Sequence, residues 1–269
     1  MQMDFDLGGR VVAVTGATGV LAGGAARYLL GQGAKVAFLS RNQSKVDAAV
    51  AASASPDALG VACDVTDQQA VAAAIERVRA HFGRLDALVN GAGGNQPGAV
   101  VPPDGALHDL DLGAYREVLD LNLAGTLLPS LAASRVFAGQ GRGAIVNFSS
   151  ASSLQAITRV LGYSNAKAAV DNLTRWMATE LARRHGDSIR VNAVCPGFFI
   201  GQQNRALLLN DDGSLTERGR LIIANTPMGR FGEADEICGA IHFLLSDAAR
   251  FVTGQVIHVD GGFGIFSGV

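Results

Sequence analysis

The chain has 269 residues, 48% hydrophobic and 17% charged, a balance that excludes an intrinsically disordered polypeptide and fits one large α/β domain. A net charge of −2 leaves no basic footprint for a nucleic-acid partner. Three scattered cysteines without a CxxC pair, and five histidines without HExxH or another paired spacing, exclude a disulfide framework and give no metal site.

In chain order, residues 11–15 predict a buried strand, followed by a glycine turn and a helix over 22–31. A strand over 35–40, a helix over 44–52, a strand over 60–63, a helix over 68–82 and a strand over 85–90 follow. A long helix over 115–134, a strand over 144–149, a helix over 163–185 and a strand over 189–195 come next. A late helix over 234–245 and a strand over 256–259 close the series. Strands separated by helices must be joined by crossovers, and crossovers make parallel sheets. The expected fold class is therefore α/β: a Rossmann-like, doubly wound parallel sheet flanked by helices, in a single domain over 1–269. Two segments, 93–109 and 198–227, read as excursions from the core and as the substrate mouth. Residues 1–10 carry three charges and no long apolar run, and no run approaches the ~18 apolar residues of a spanning helix. The expectation is a cytoplasmic protein with no membrane contact.

The first turn carries Gly16, Thr18, Gly19, Val20 and Leu21 between a strand and a helix. Glycine lets the backbone approach a pyrophosphate, and the helix N-terminus offers free N–H groups. An ordinary βα turn also favours glycine. The second strand ends in Ser40-Arg41-Asn42, with no carboxylate for a ribose 2′-hydroxyl. A guanidinium at Arg41 suits a 2′-phosphate, which favours NADP(H) over NAD(H), unless Arg41 is a solvated turn residue. Asp64, followed by Val65, is either an acceptor for the adenine amino group or a plain Asx turn before Thr66.

Tyr163 and Lys167 stand four residues apart at the start of a predicted helix, so they share a face. A neighbouring cation favours the phenolate and makes a tyrosine usable as a proton donor or acceptor. Ser150 ends a central strand at the edge where ligands sit in open α/β sheets. Asn122 lies in a mostly apolar helix, either holding a water linked to Lys167 or hydrogen-bonded in the core. No GxSxG elbow is present, and nothing marks Cys195 as a nucleophile.

Thr15-Gly16 with Gly19, Asn90-Gly91-Ala92-Gly93, Asn122, Ser150 thirteen residues before Tyr163, and Tyr163 with Lys167 fall in the order of a known family. The chain resembles the short-chain dehydrogenase/reductases from about residue 7 to its C-terminus. The resemblance implies a catalytic tetrad of Ser150, Tyr163, Lys167 and Asn122, with Lys167 also holding the nicotinamide ribose. It implies that Asn90, Gly91 and Ala92 pass beside the cofactor, and that Pro196, Gly197 and Phe199 lie near the nicotinamide. It also implies a homotetramer or homodimer. Two departures stand out. The usual TGxxxGxG turn has Val20 and Ala22 at its last two glycine positions, and Gly201 replaces a common threonine. Within the family, the turn Gly19-Val20-Leu21, the pair Thr158-Arg159 and the tail from Gly261 resemble the fructuronate reductase and D-mannonate oxidoreductase group. A sugar acid needs a cation for its carboxylate and donors for its hydroxyls. Arg159, Asn95, Asn204 and Arg205 are the candidates, with Gln203 beside them, though Arg159 and Arg205 also suit surface or inter-subunit salt bridges. A 3-oxoacyl or other small carbonyl substrate would use Phe198, Phe199 and residues 207–209 instead. A non-catalytic nucleotide-sensing scaffold is the alternative of another class.

Overall fold

The computed structural model describes residues 4–201 and 205–268. Its first half runs β1 (Val11–Thr15), α1 (Val20–Gly31), β2 (Lys35–Ser40), α2 (Gln43–Ser53), β3 (Ala58–Ala62), α3 (Gln68–Phe82) and β4 (Ala87–Asn90). There follow α4 (Leu112–Leu119), α5 (Gly125–Gln140), β5 (Gly143–Phe148), α6 (Leu161–His185) and β6 (Ile189–Pro196). The chain then forms α7 (Arg205–Leu208), α8 (Glu217–Ala224), α9 (Cys238–Leu245) and β7 (Val256–Val259).

Every residue of β1 is buried, and its alternate side chains serve two apolar layers. Val12 and Val14 pack with α1 and α9, while Val11 and Ala13 pack with α3, α5 and α6. All seven strands pair in parallel, in the order β3-β2-β1-β4-β5-β6-β7. The order reverses between β1 and β4, so the connections leaving their C-terminal ends part to opposite faces and open a crevice there.

A buried polar ladder ties the middle of the sheet to the second layer. The Asn90 amide donates to Ser130 Oγ at 2.8 Å and to Asn147 Oδ1 at 2.9 Å, and Asn147 donates to Thr174 Oγ1 at 2.9 Å. Ser130 and Thr174 in turn donate to helix carbonyls four residues back. Such a network is costly to leave half-made, so it holds β4 and β5 in one register against α5 and α6.

The structure departs from the sequence expectations in two places. The single helix expected over 115–134 is two, α4 and α5, joined by a π-helical turn at Asp120–Ala124. The late helix begins at Cys238, because residues 234–237 form a turn closed by Cys238 N–H on Asp235 O. The second excursion holds α7 and α8, the latter capped by Thr216 Oγ1, which accepts from Gly219 N–H at 3.0 Å.

Candidate active site

The site assembles at the C-terminal ends of β1, β4 and β5. Gly16 adopts φ +67°, and a Cβ there would stand 2.6 Å from Gly91 O and 2.7 Å from Ala92 N. Only glycine lets the first turn lie this close to the end of β4. Thr15 Oγ1 clasps the same two segments, accepting from Gly91 N–H at 3.1 Å and Ala92 N–H at 3.2 Å. Gly19 precedes α1 in an extended conformation, and no side chain caps the helix. The first-turn N–H groups at Val20 and Leu21 are thus left for an anion, with the helix dipole behind them. Thr18 and Ser40 share a 2.9 Å hydroxyl hydrogen bond across the turn. Arg41 is exposed beside them, and its charge contributes to lowering the Asp64 pKa, whose larger causes are hydrogen bonds from Thr66. These residues fit a dinucleotide: a glycine cradle, free helix-terminal amides and a cation at the outer end.

Three expected nucleotide contacts are otherwise engaged. Asn42 caps α2, its Oδ1 accepting from Lys45 N–H at 3.0 Å and Ser44 Oγ at 2.7 Å. Asp64 Oδ1 closes an Asx turn on Thr66, through N–H at 2.9 Å and Oγ1 at 2.7 Å, so the plainer of its two readings holds for that oxygen. The Asn90 side chain is buried in the polar ladder, and its residue meets the crevice only where the backbone turns into Gly91. Val65 is buried against Gly125, where an added Cβ would meet its Cγ2 at 2.7 Å.

Ser150, Tyr163 and Lys167 come together. Ser150 follows β5, and its Oγ accepts from Ser152 N–H at 3.3 Å and Ser152 Oγ at 3.1 Å. The Tyr163 phenol lies near enough to that hydroxyl for Ser150 to act on its titration. Burial raises the Tyr163 pKa, and Ser150 works against that rise. Lys167, one turn further along α6, is buried with Nζ 5.5 Å from the centre of the Tyr163 ring. Its ammonium donates to Phe148 O at 2.8 Å. Burial pulls the Lys167 pKa down to about 8, partly opposed by the charge of Asp171. Asp171 is itself buried on the next turn, with Oδ2 accepting from Ser153 Oγ at 2.6 Å and Oδ1 without a partner. Sequence reasoning missed this carboxylate, although its position four residues after Lys167 was a visible signal.

Both hydrogens of the Asn122 amide go to protein carbonyls. The Nδ2 group donates to Gly94 O at 2.7 Å and Val118 O at 2.8 Å, and Oδ1 accepts from Gly94 N–H at 3.1 Å. Asn122 is a clasp on the loop after β4, and the π turn carries it there. A Cβ on Gly93 would stand 2.6 Å from Asn122 Oδ1 and 3.4 Å from Lys167 Nζ, so the loop threads between those two side chains.

Pro196 ends β6 and Gly197 packs against Asp260, where an added Cβ would meet Cα at 2.7 Å. Phe199 is buried and pairs with Gly232 in an isolated bridge. Cys195 is a buried thiol whose pKa is pushed up to about 12, chiefly by burial. Of the expected substrate residues, Asn95 and Arg205 are exposed and Arg159 is half-buried. Asn204 and Gln203 lie outside the described residues. Among the described residues no helix is long and apolar enough to cross a membrane, and no cluster of three or more His, Cys, Asp or Glu is arranged for a metal ion.

The family model described as enoyl-(acyl carrier protein) reductase matches residues 16–264. The chain belongs to the short-chain dehydrogenase/reductase family. This short-chain dehydrogenase/reductase is 38% identical, over 98% of each chain, to UxuB of Bacillus subtilis, an oxidoreductase whose reaction is uncharacterized. It shares 36% identity, over 98% of each chain at a TM-score of 0.90, with a Haemophilus influenzae structure containing NAD and provisionally named a D-mannonate oxidoreductase. It shares 32% identity, over 96% of each chain at a TM-score of 0.85, with a Burkholderia cenocepacia gluconate 5-dehydrogenase in complex with NADP and tartrate. The short-chain dehydrogenase/reductase is thus an NAD(P)-dependent oxidoreductase.

Proposed function

We propose that the protein interconverts a carbonyl and a secondary alcohol on a sugar acid such as fructuronate or mannonate, with NADP(H) preferred over NAD(H). The observation that carries the reaction is the convergence of Ser150, Tyr163 and Lys167 at the edge of the sheet. When bound, the nicotinamide supplies or accepts the hydride. Tyr163 Oη gives its proton to the substrate oxygen in reduction and takes one in oxidation. Ser150 donates a hydrogen bond to the same oxygen. The Lys167 ammonium favours the phenolate and suits the nicotinamide ribose hydroxyls. Asn122 holds Gly93 and Gly94 in place beside Lys167, a positioning role.

The sugar-acid reading draws on Arg159, four residues before Tyr163, and on the likeness to proteins whose names carry mannonate and gluconate. Its test is a panel of sugar acids and oxoacyl compounds run with NADH and with NADPH. Turnover of sugar acids supports it, and turnover of oxoacyl compounds alone would sink it. That second reading, an acyl or small-carbonyl reductase, draws on the family model's description and on Phe198. The Phe198 ring meets Phe263 edge-on at 5.0 Å and lines a cavity of about 400 Å³.

The NADP(H) preference rests on Arg41. Arg41→Ala is expected to raise KM for NADPH roughly 10- to 100-fold, the worth of a charge-assisted pair, with KM for NADH nearly unchanged. Equal losses with both cofactors would remove Arg41 from the 2′-phosphate site. Exposed Leu112, Leu131, Leu161 and Trp176 on α4, α5 and α6 favour a homotetramer built on those helices. Light scattering at the mass of one chain would rule it out.

A further inference from the structure

Among the described residues the buried cations, Lys167 and Arg190, and the partly buried Arg10 are matched with acceptors, Lys167 on Phe148 O. The partly buried Arg10 pairs with Asp247 at 2.7 Å, and the buried Arg190 donates to the carbonyls of Leu244 and Ser246. Arg159 and Arg218 break that pattern. Both are half-buried, and among the described residues neither forms an ion pair. Among the described residues the one side-chain hydrogen bond that either makes is a long one of 3.5 Å, from Arg218 Nη1 to Thr158 Oγ1. They also lie within electrostatic reach of each other: burial first, and then the Arg159 charge, hold Arg218 below its usual pKa. Two like charges near each other and partly withdrawn from water favour an anion placed between them.

The backbone holds Arg159 in place at a cost. It adopts φ +78°, a left-handed conformation that disfavours a side chain by about 1–2 kcal/mol. Its carbonyl is tied to Val101 N–H at 3.0 Å, which joins the loop before Tyr163 to the first excursion. Arg218 comes from the second excursion, on the first turn of α8. Arg159 and Thr158 line a cavity of about 750 Å³, within the range that holds a small molecule.

We infer that Arg159 and Arg218 form a two-guanidinium clamp for the carboxylate of the substrate, with Arg218 the specificity residue that the second excursion contributes. This deepens the sugar-acid reading and rests on it. Two planar forks offer more donors than one carboxylate needs, so the clamp favours an acid over the neutral polyol of the same skeleton.

The test is binding to the enzyme saturated with NADP⁺, by calorimetry or thermal shift. The probes are D-mannonate, D-gluconate, the neutral alditol mannitol and the non-sugar acid 3-hydroxybutyrate. The variants are Arg218→Met and Arg159→Gly. The glycine variant removes the charge while relieving the left-handed strain, so it should fold at least as well as the wild type. Each is expected to weaken sugar-acid binding roughly tenfold or more and to leave mannitol unchanged. Arginine-dependent binding of 3-hydroxybutyrate alone would support the clamp and overturn the sugar-acid reading. Sugar acids bound equally well by all three proteins would overturn the clamp and leave that reading standing. No response to any acid in the wild type would overturn the clamp.

Discussion

Tyr163→Phe is expected to lower kcat by roughly 10²- to 10⁴-fold, the range that a positioned proton-transfer group contributes, while NADPH binds within about threefold of the wild type. The variant keeps the ring whose centre lies 5.5 Å from Lys167 Nζ and loses only the hydroxyl. Ser150 keeps its bonds from Ser152, so the turn after β5 stays in place. A fluorescence titration with NADPH separates cofactor binding from chemistry. Retained turnover would remove Tyr163 from the proton path. Lost NADPH binding would make its role structural.

Lys167→Met is expected to abolish turnover and to change how stability depends on pH. The Lys167 amine is buried, and its pKa falls from 10.5 to about 8 on folding. Between those values the unfolded chain holds a proton that the folded chain has released, so stability rises with pH through that window. Below pH 8 both states carry the charge, and the full desolvation cost is present. The shift of about two and a half units corresponds to roughly 3 kcal/mol. Tyr163, Asp171 and Cys195 face the same amine, and Tyr163 and Cys195 titrate higher than usual because they are buried. For that reason the quantity to measure is the difference between wild type and Lys167→Met, from urea denaturation at pH 7.5 and pH 10.5. That difference should move in favour of the wild type by about 3 kcal/mol as the pH rises. A flat difference would mean that the amine is not desolvated as described.

Much of this architecture was legible because parallel strands covered on both faces must be runs such as Val11–Thr15, apolar throughout. The Tyr163–Lys167 pair was legible for a similar reason, since helical spacing alone puts both on one face. What stayed hidden depends on contacts between distant segments. The π turn at Asp120–Ala124 inserts a residue into a helix whose local pattern is uninterrupted, and its reason is the Gly94 backbone that Asn122 reaches 28 residues away. Asn42 and Asp64 were read toward a nucleotide because they follow strands at the correct edge. Short polar side chains at such ends also cap helices and close Asx turns, and here they do. Arg218 gave no signal at all. Its neighbour Thr158 is 60 residues away, so the pairing with Arg159 exists only once the second excursion has folded back over the loop before Tyr163.

A crystal structure of the protein with NADPH tests the central claim most directly. The account predicts the pyrophosphate on the N-terminus of α1, the 2′-phosphate against Arg41, and the nicotinamide ribose at Lys167 Nζ with the ring beside Tyr163 Oη and Ser150 Oγ. A nucleotide held elsewhere, or a nicotinamide ring turned away from Tyr163, would contradict it.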